Sequence, residues 1–183
     1  MSFRDSVNRH RIDEFLNQLG KRVRGAGQVY LVGGTTMVYE GFRTLTLDID
    51  IAFDLNPTDH TEFIRVVREL KEEMQVNVEE ASPGHFIPLP SGYETRCQFL
   101  GQYGNLEIFH FDPYSMALSK IERATAEDFS DVLALLEHNW IQIEMLEETF
   151  REILPRYATE SLKGDSLEFE RKFLALKQMW EAK

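Results

Sequence analysis

Apolar residues recur at roughly helical spacing at Val7, Ile12, Phe15, Leu16 and Leu19. That spacing predicts a helix from about Asp5 to Val23, with Gly20 as its stop signal. The period then changes. Val29–Val32 is a short apolar run suited to a strand, Gly33-Gly34 interrupts it, and residues 35–41 suit a short helix. Leu47–Phe53 predicts a second strand, with Leu47, Ile49, Ile51 and Phe53 on a core face. After the turn residues Asn56-Pro57-Thr58-Asp59, residues 61–74 place Phe63, Ile64, Val67 and Leu70 on one helical face. Val76–Val78 and Phe86–Leu89 are shorter strand candidates on either side of a Ser-Pro-Gly break. Thr95–Leu100 and Leu106–Phe111 flank Gln102-Tyr103-Gly104-Asn105, a hairpin pattern.

From residue 112 onward the pattern is helical throughout. Asp112-Pro113 pairs an N-capping side chain with the residue best suited to the first helical position, and the helix runs to about Arg123. Thr125 caps the next helix, Ala126–Asn139, with Asp128 three places on. Two further helices are expected over Ile143–Tyr157 and Ser166–Ala182, joined by a polar loop containing Gly164. Mixed strands and helices followed by helices only imply an α+β chain. The expected division is a mixed-sheet core over residues 1–112 and a helical part over 113–183.

Composition narrows the possible functions. The 183 residues are 43% hydrophobic and 28% charged, as in ordinary globular domains. No apolar run is long enough to span a bilayer, and MSFRDSVNRHRIDEF is too polar for a secretory signal. One cysteine, Cys97, rules out an intrachain disulfide. A cytoplasmic setting is expected, with no membrane partner. The net charge of −11 disfavours extended contact with nucleic acid. Residues 1–25 are the local exception, with Arg4, Arg9, Arg11, Lys21, Arg22 and Arg24 against Asp5, Asp13 and Glu14. That excess suits either a phosphate-rich partner or the solvated face of a helix.

Asp48 and Asp50 break the apolar character of the second strand. At positions i and i+2 they share a face, about 6.6 Å apart along the strand. Two carboxylates so placed repel each other unless a cation lies between them. Hard oxygen ligands suit Mg²⁺, which is bound by one or two carboxylates together with substrate phosphates. Upstream, Gly33-Gly34 between strand and helix lets backbone approach a phosphate, with Thr35 and Thr36 adding hydroxyls. A phosphate cradle beside an acidic strand is a layout for metal-assisted phosphoryl or nucleotidyl transfer.

The pattern Gly33-Gly34, Arg43, Thr46 and Asp48-Ile49-Asp50 resembles the signature of the nucleotidyltransferase superfamily that includes DNA polymerase beta. Within it the chain is similar to small bacterial nucleotidyltransferase-like proteins related to AbiEii-type and MenT-type toxins. The segment DPYSMALSKIERATAEDFSDVLALL, residues 112–136, resembles that group's helical block of Asp-Pro, a following lysine and an Asp-x-x-Asp. The resemblance covers about residues 27–137.

It implies an α+β nucleotidyltransferase core that binds an NTP. Gly33, Gly34 and Thr35 would hold the triphosphate, with Arg43 and Thr46 as further nucleotide-binding residues. Asp48 and Asp50 would hold two Mg²⁺ ions roughly 3.5–4 Å apart. Lys120 would contact the phosphates, and Asp131, with Asp128, would position Lys120 or the acceptor. Glu107 is the candidate for a third, metal-binding and base carboxylate, with Asp112 second. The implied acceptor is an RNA end or a protein hydroxyl, with a small molecule as the alternative, and the implied partner is an antitoxin. Apart from the resemblance, Ile141–Phe150 and the last helix, with Phe173, Leu174, Leu176 and Trp180, suit either packing on the sheet or a face for a second copy of the chain. An incomplete acid set would instead give a nucleotide-sensing or partner-binding module, or a structural subunit on the same fold. Lys120, Asp128 and Asp131 also have plain structural uses, as a snorkelling lysine, a helix-capping acid and a solvated surface acid.

Overall fold

In a computed structural model that describes residues 6–160 and 164–183, the chain divides into two compact units. The first comprises residues 1–81 and 98–111, the second residues 82–97 and 112–183. The expected helix start at Asp5, and the charges of Arg4 and Asp5, lie outside the described residues.

The first unit is built on a five-stranded mixed sheet. Its strands are β1 (Gly27–Leu31), β2 (Asp48–Leu55), β3 (Asn77–Glu80), β4 (Gln98–Tyr103) and β5 (Leu106–His110), in the order β3-β2-β1-β5-β4. β1 is antiparallel to β2 and parallel to β5, while β2 and β3 run parallel. The parallel pair β2–β3 is joined through α3 (His60–Glu73), as a crossover connection requires. α1 (Arg9–Arg22) and α3 cover one sheet face. Ile12, Phe15, Leu16 and Leu19 from α1, with Phe63, Val66 and Leu70 from α3, pack on Val29, Leu31, Ile49, Ile51 and Ile108.

Several expectations change at this level. Gly20 lies inside α1, where its bare Cα meets the β4–β5 hairpin. A Cβ there would fall 2.5 Å from the carbonyl oxygen of Tyr103, so close approach, not helix termination, explains the glycine. The arginines of α1 have partners within the unit. Arg22 pairs with Glu73, Arg9 lies 3.8 Å from Asp13 and donates to the carbonyl of Tyr39, and Arg11 donates to the carbonyl of Met74. Leu47 precedes β2 and is 77% exposed, so the core face of that strand begins at Ile49.

The second unit is helical. α4 (Tyr93–Arg96), α5 (Pro113–Arg123), α6 (Ala126–Glu137), α7 (Ile143–Glu160) and α8 (Ser166–Glu181) surround a largely buried α5. Phe86–Leu89 forms no strand; a short 3-10 turn over Pro83–His85 precedes it, set by the Ser82 hydroxyl accepting from the Gly84 N–H. Thr95 and Arg96, expected at the start of a strand, fall instead in α4, and the strand begins at Gln98. The capping predictions hold. Asp112 accepts from the N–H groups of Tyr114 and Ser115, and Thr125 accepts from that of Asp128. Phe150 stacks on Phe173 at 4.3 Å and meets Phe169 edge-on, which joins α7 to α8. Among the described residues no helix is long and apolar enough to cross a membrane.

Candidate active site

Asp48 and Asp50 project from β2 on the sheet face opposite Ile49 and Ile51, both half-buried. The parallel register sets Asp48 against Asn77 and Asp50 against Glu79. Two alternations therefore converge, and carboxylate oxygens of Asp48, Asp50 and Glu79 lie within 4.8 Å of one another. The Asn77 amide nitrogen donates to Asp48 Oδ1 at 2.6 Å and to Glu79 Oε1 at 2.9 Å.

The glycine turn abuts this cluster. Gly33 opens the seven-residue α2 (Gly33–Tyr39) at φ +56°, a left-handed conformation that disfavours a side chain. A Cβ on Gly33 would lie 3.1 Å from Asp50 Oδ2. Gly34 is buried for a different reason, since a Cβ there would fall 2.5 Å from Thr46 Oγ1 and 3.6 Å from an Arg43 guanidinium nitrogen. Arg43 and Thr46 thus lie beside Gly34. The threonine hydroxyls face the protein. Thr35, fully buried, accepts from the Asp50 N–H at 2.7 Å and donates towards the Asp48 carbonyl at 3.4 Å, so it fixes the acidic strand to the turn.

Behind the turn, Thr36, His110 and Glu40 form a chain. His110 is 1% exposed, with Nδ1 3.1 Å from Thr36 Oγ1 and Nε2 2.8 Å from Glu40 Oε1. A carboxylate only accepts, so Nε2 carries the proton and Nδ1 accepts from the Thr36 hydroxyl. Burial pulls the imidazole below its usual 6.5 and outweighs the opposing pull of Glu40. The unfolded chain therefore binds a proton more readily than the folded one, and the contribution of His110 to stability is complete above about pH 6.5 and lost as pH falls towards the folded value. Urea unfolding between about pH 7.5 and about pH 5.5 is expected to show this loss, reduced in His110→Gln.

Glu107 shares the face of Asp48 and Asp50 but at another level. The register aligns it with Gln28 and, through Gln28, with Asp54, and it accepts from the Gln28 amide at 3.1 Å. Asp54 is four residues, about 13 Å of strand, from Asp50. Asp112 is fully buried on Arg96, whose guanidinium meets both its oxygens at 2.9 and 2.8 Å.

In the second unit, Lys120, Asp128 and Asp131 come together, each at most 4% exposed. Lys120 Nζ lies 2.6 Å from Asp131 Oδ2 and 3.4 Å from Asp128 Oδ1, and Arg123 also pairs with Asp128. Burial pushes the Asp128 carboxyl up, but the Thr125 hydroxyl and the charges of Lys120 and Arg123 together hold it below the usual carboxylate range. A cavity of about 720 Å³ in this unit is lined by Phe86, Glu122, Arg123, Tyr157 and Lys172 among others, not by these three residues.

The sequence pattern alone does not single out Glu79. The signal that reveals it is the crossover β2-α3-β3, which makes β3 a parallel neighbour of β2 and sets its alternate residues beside the aspartates.

Comparison with curated proteins and with solved structures gives no significant match. A family model described as a nucleotidyltransferase of unknown function (DUF6036) matches residues 9–178, and the chain belongs to that family.

Proposed function

We propose that this member of a nucleotidyltransferase family transfers a nucleoside monophosphate from an NTP to an acceptor hydroxyl, with Mg²⁺ as cofactor. The observation that carries this reading is the convergence of Asp48, Asp50 and Glu79 within 4.8 Å of one another, against the bare backbone of Gly33. An all-oxygen donor set on two paired strands fits a hard divalent cation, and a softer metal would favour His or Cys. Such a cation, when bound, draws charge from the phosphate oxygens.

The chain's own residues would do the rest. Gly33 admits phosphate to backbone, Arg43 supplies a cation beside the turn, Thr35 holds the turn against the acidic strand, and Thr46 packs beside Gly34. The acceptor oxygen bonds to the α-phosphorus as the α–β bridging P–O bond breaks. Pyrophosphate leaves, and the acceptor's proton passes to a carboxylate. Phosphate contact by Lys120, its support by Asp131 and Asp128, and a carboxylate role for Glu107 follow from the resemblance and belong to the same proposal. The toxin–antitoxin setting, an antitoxin or homo-oligomeric partner, and an RNA end, protein or small molecule as acceptor belong to it too. The net charge of −11 favours the smaller acceptors over extended RNA.

The test is incubation of purified protein with Mg²⁺ and each labelled NTP, following pyrophosphate release and transfer of label. Divalent-dependent turnover supports the proposal. Tight binding without turnover would replace it with a nucleotide-sensing module, and no binding with a structural subunit.

A further inference from the structure

We infer that Asn77 is a positioning residue of the cation site, a neutral clamp that holds Asp48 and Glu79 at ligating separation. The inference rests on the reading of Asp48, Asp50 and Glu79 as metal ligands. Asp48 and Glu79 come from different strands, and two carboxylates this close repel each other before a cation arrives. Asn77 sits directly across from Asp48 in the β2–β3 register and two residues before Glu79, so its side chain stands between the two acids. Its –NH₂ carries two protons, and it donates at 2.6 Å to Asp48 Oδ1 and at 2.9 Å to Glu79 Oε1. Two carboxylate oxygens at these distances require donors, which settles the amide's orientation.

The residue type matters. A lysine at position 77 would place its own charge among the ligands and compete with the metal. An aspartate would add a fourth negative charge and remove both donors. An asparagine engages one oxygen of each acid, and an ionised carboxylate has lone pairs beyond the one so engaged. The mutual approach of the acids is thus set before metal binding, the role that hydrogen-bonding partners of metal ligands fill in general.

The test is Mn²⁺ binding to the full chain, read by electron paramagnetic resonance without nucleotide, for wild type, Asn77→Ala, Asn77→Leu and Asp50→Asn. Leu approximates Asn in shape without its donors, and thermal melts in EDTA check that each variant folds. Both Asn77 variants are expected to weaken Mn²⁺ binding roughly 10-fold or more. Unchanged Mn²⁺ affinity in a folded Asn77 variant, with clear weakening in Asp50→Asn, would overturn the clamp and leave the metal site standing. Wild-type protein that binds no Mn²⁺ at millimolar concentration would overturn both.

Discussion

Asp48→Asn and Asp50→Asn are each expected to lower Mg²⁺-dependent NTP turnover by about 1,000-fold or more while leaving the fold intact. The size follows from what a bound cation contributes to phosphoryl chemistry, several kcal/mol of charge stabilisation, at about 1.4 kcal/mol per factor of ten. Asparagine matches aspartate in shape, and both side chains are only half-buried, so packing barely changes. Without metal, either variant removes repulsion among three clustered carboxylates and is expected to melt no lower than wild type. With Mg²⁺ the order reverses. Wild type gains stability by binding a ligand that the variants hold poorly. Turnover assays paired with melts in Mg²⁺ and in EDTA check both halves. A variant that keeps wild-type turnover, or that melts lower in EDTA, would assign these aspartates to the scaffold.

Lys120→Met is expected to destabilise the protein by about 3–5 kcal/mol, the range for removing one partner of a buried ion pair. Lys120 and Asp131 are 4% and 2% exposed, with 2.6 Å between charged atoms. Methionine fills the space of the lysine stem but leaves Asp131 without this partner and Asp128 with less compensation. Lys120→Met combined with Asp131→Leu is expected to lose less than the single variant, because the stranded charge goes too. Acid should act in the same direction. The depressed Asp128 carboxyl contributes stability that is present above its usual 3.8 and lost as pH falls towards its folded value. Urea unfolding measures these effects. A Lys120→Met loss under about 1 kcal/mol would show that the pair contributes little to the fold. The stability loss is expected without any nucleotide, so a drop in activity of this variant has meaning only beside its melt.

The legibility of the chain follows the range of the interactions involved. Caps are local chemistry, and Asp112, Pro113 and Thr125 announced α5 and α6 because the groups they satisfy lie within three residues. Asp48 and Asp50 were visible as well, since alternation within one strand is local and two acids in an apolar run stand out. Glu79 is hidden because the apolar signal of the strand candidate Val76–Val78 stops short of it, and its relation to Asp50 exists only through strand pairing. Alternation placed Glu107 on the right face, but its level in the sheet is a matter of register, which composition does not carry. Gly20 reads as a helix stop in the sequence because glycine has two uses, and the one it serves depends on a hairpin more than eighty residues away. Phe86–Leu89 illustrates the ambiguity of short apolar runs, which periodicity alone does not assign to strand or turn.

The most direct test is anomalous scattering from crystals grown with Mn²⁺ and a non-hydrolysable NTP. The account predicts a Mn²⁺ peak among Asp48, Asp50 and Glu79, roughly 2.0–2.2 Å from ligating oxygens, with triphosphate density against Gly33. Ordered triphosphate elsewhere on the chain, or no Mn²⁺ peak among these three carboxylates at saturating metal, would contradict it.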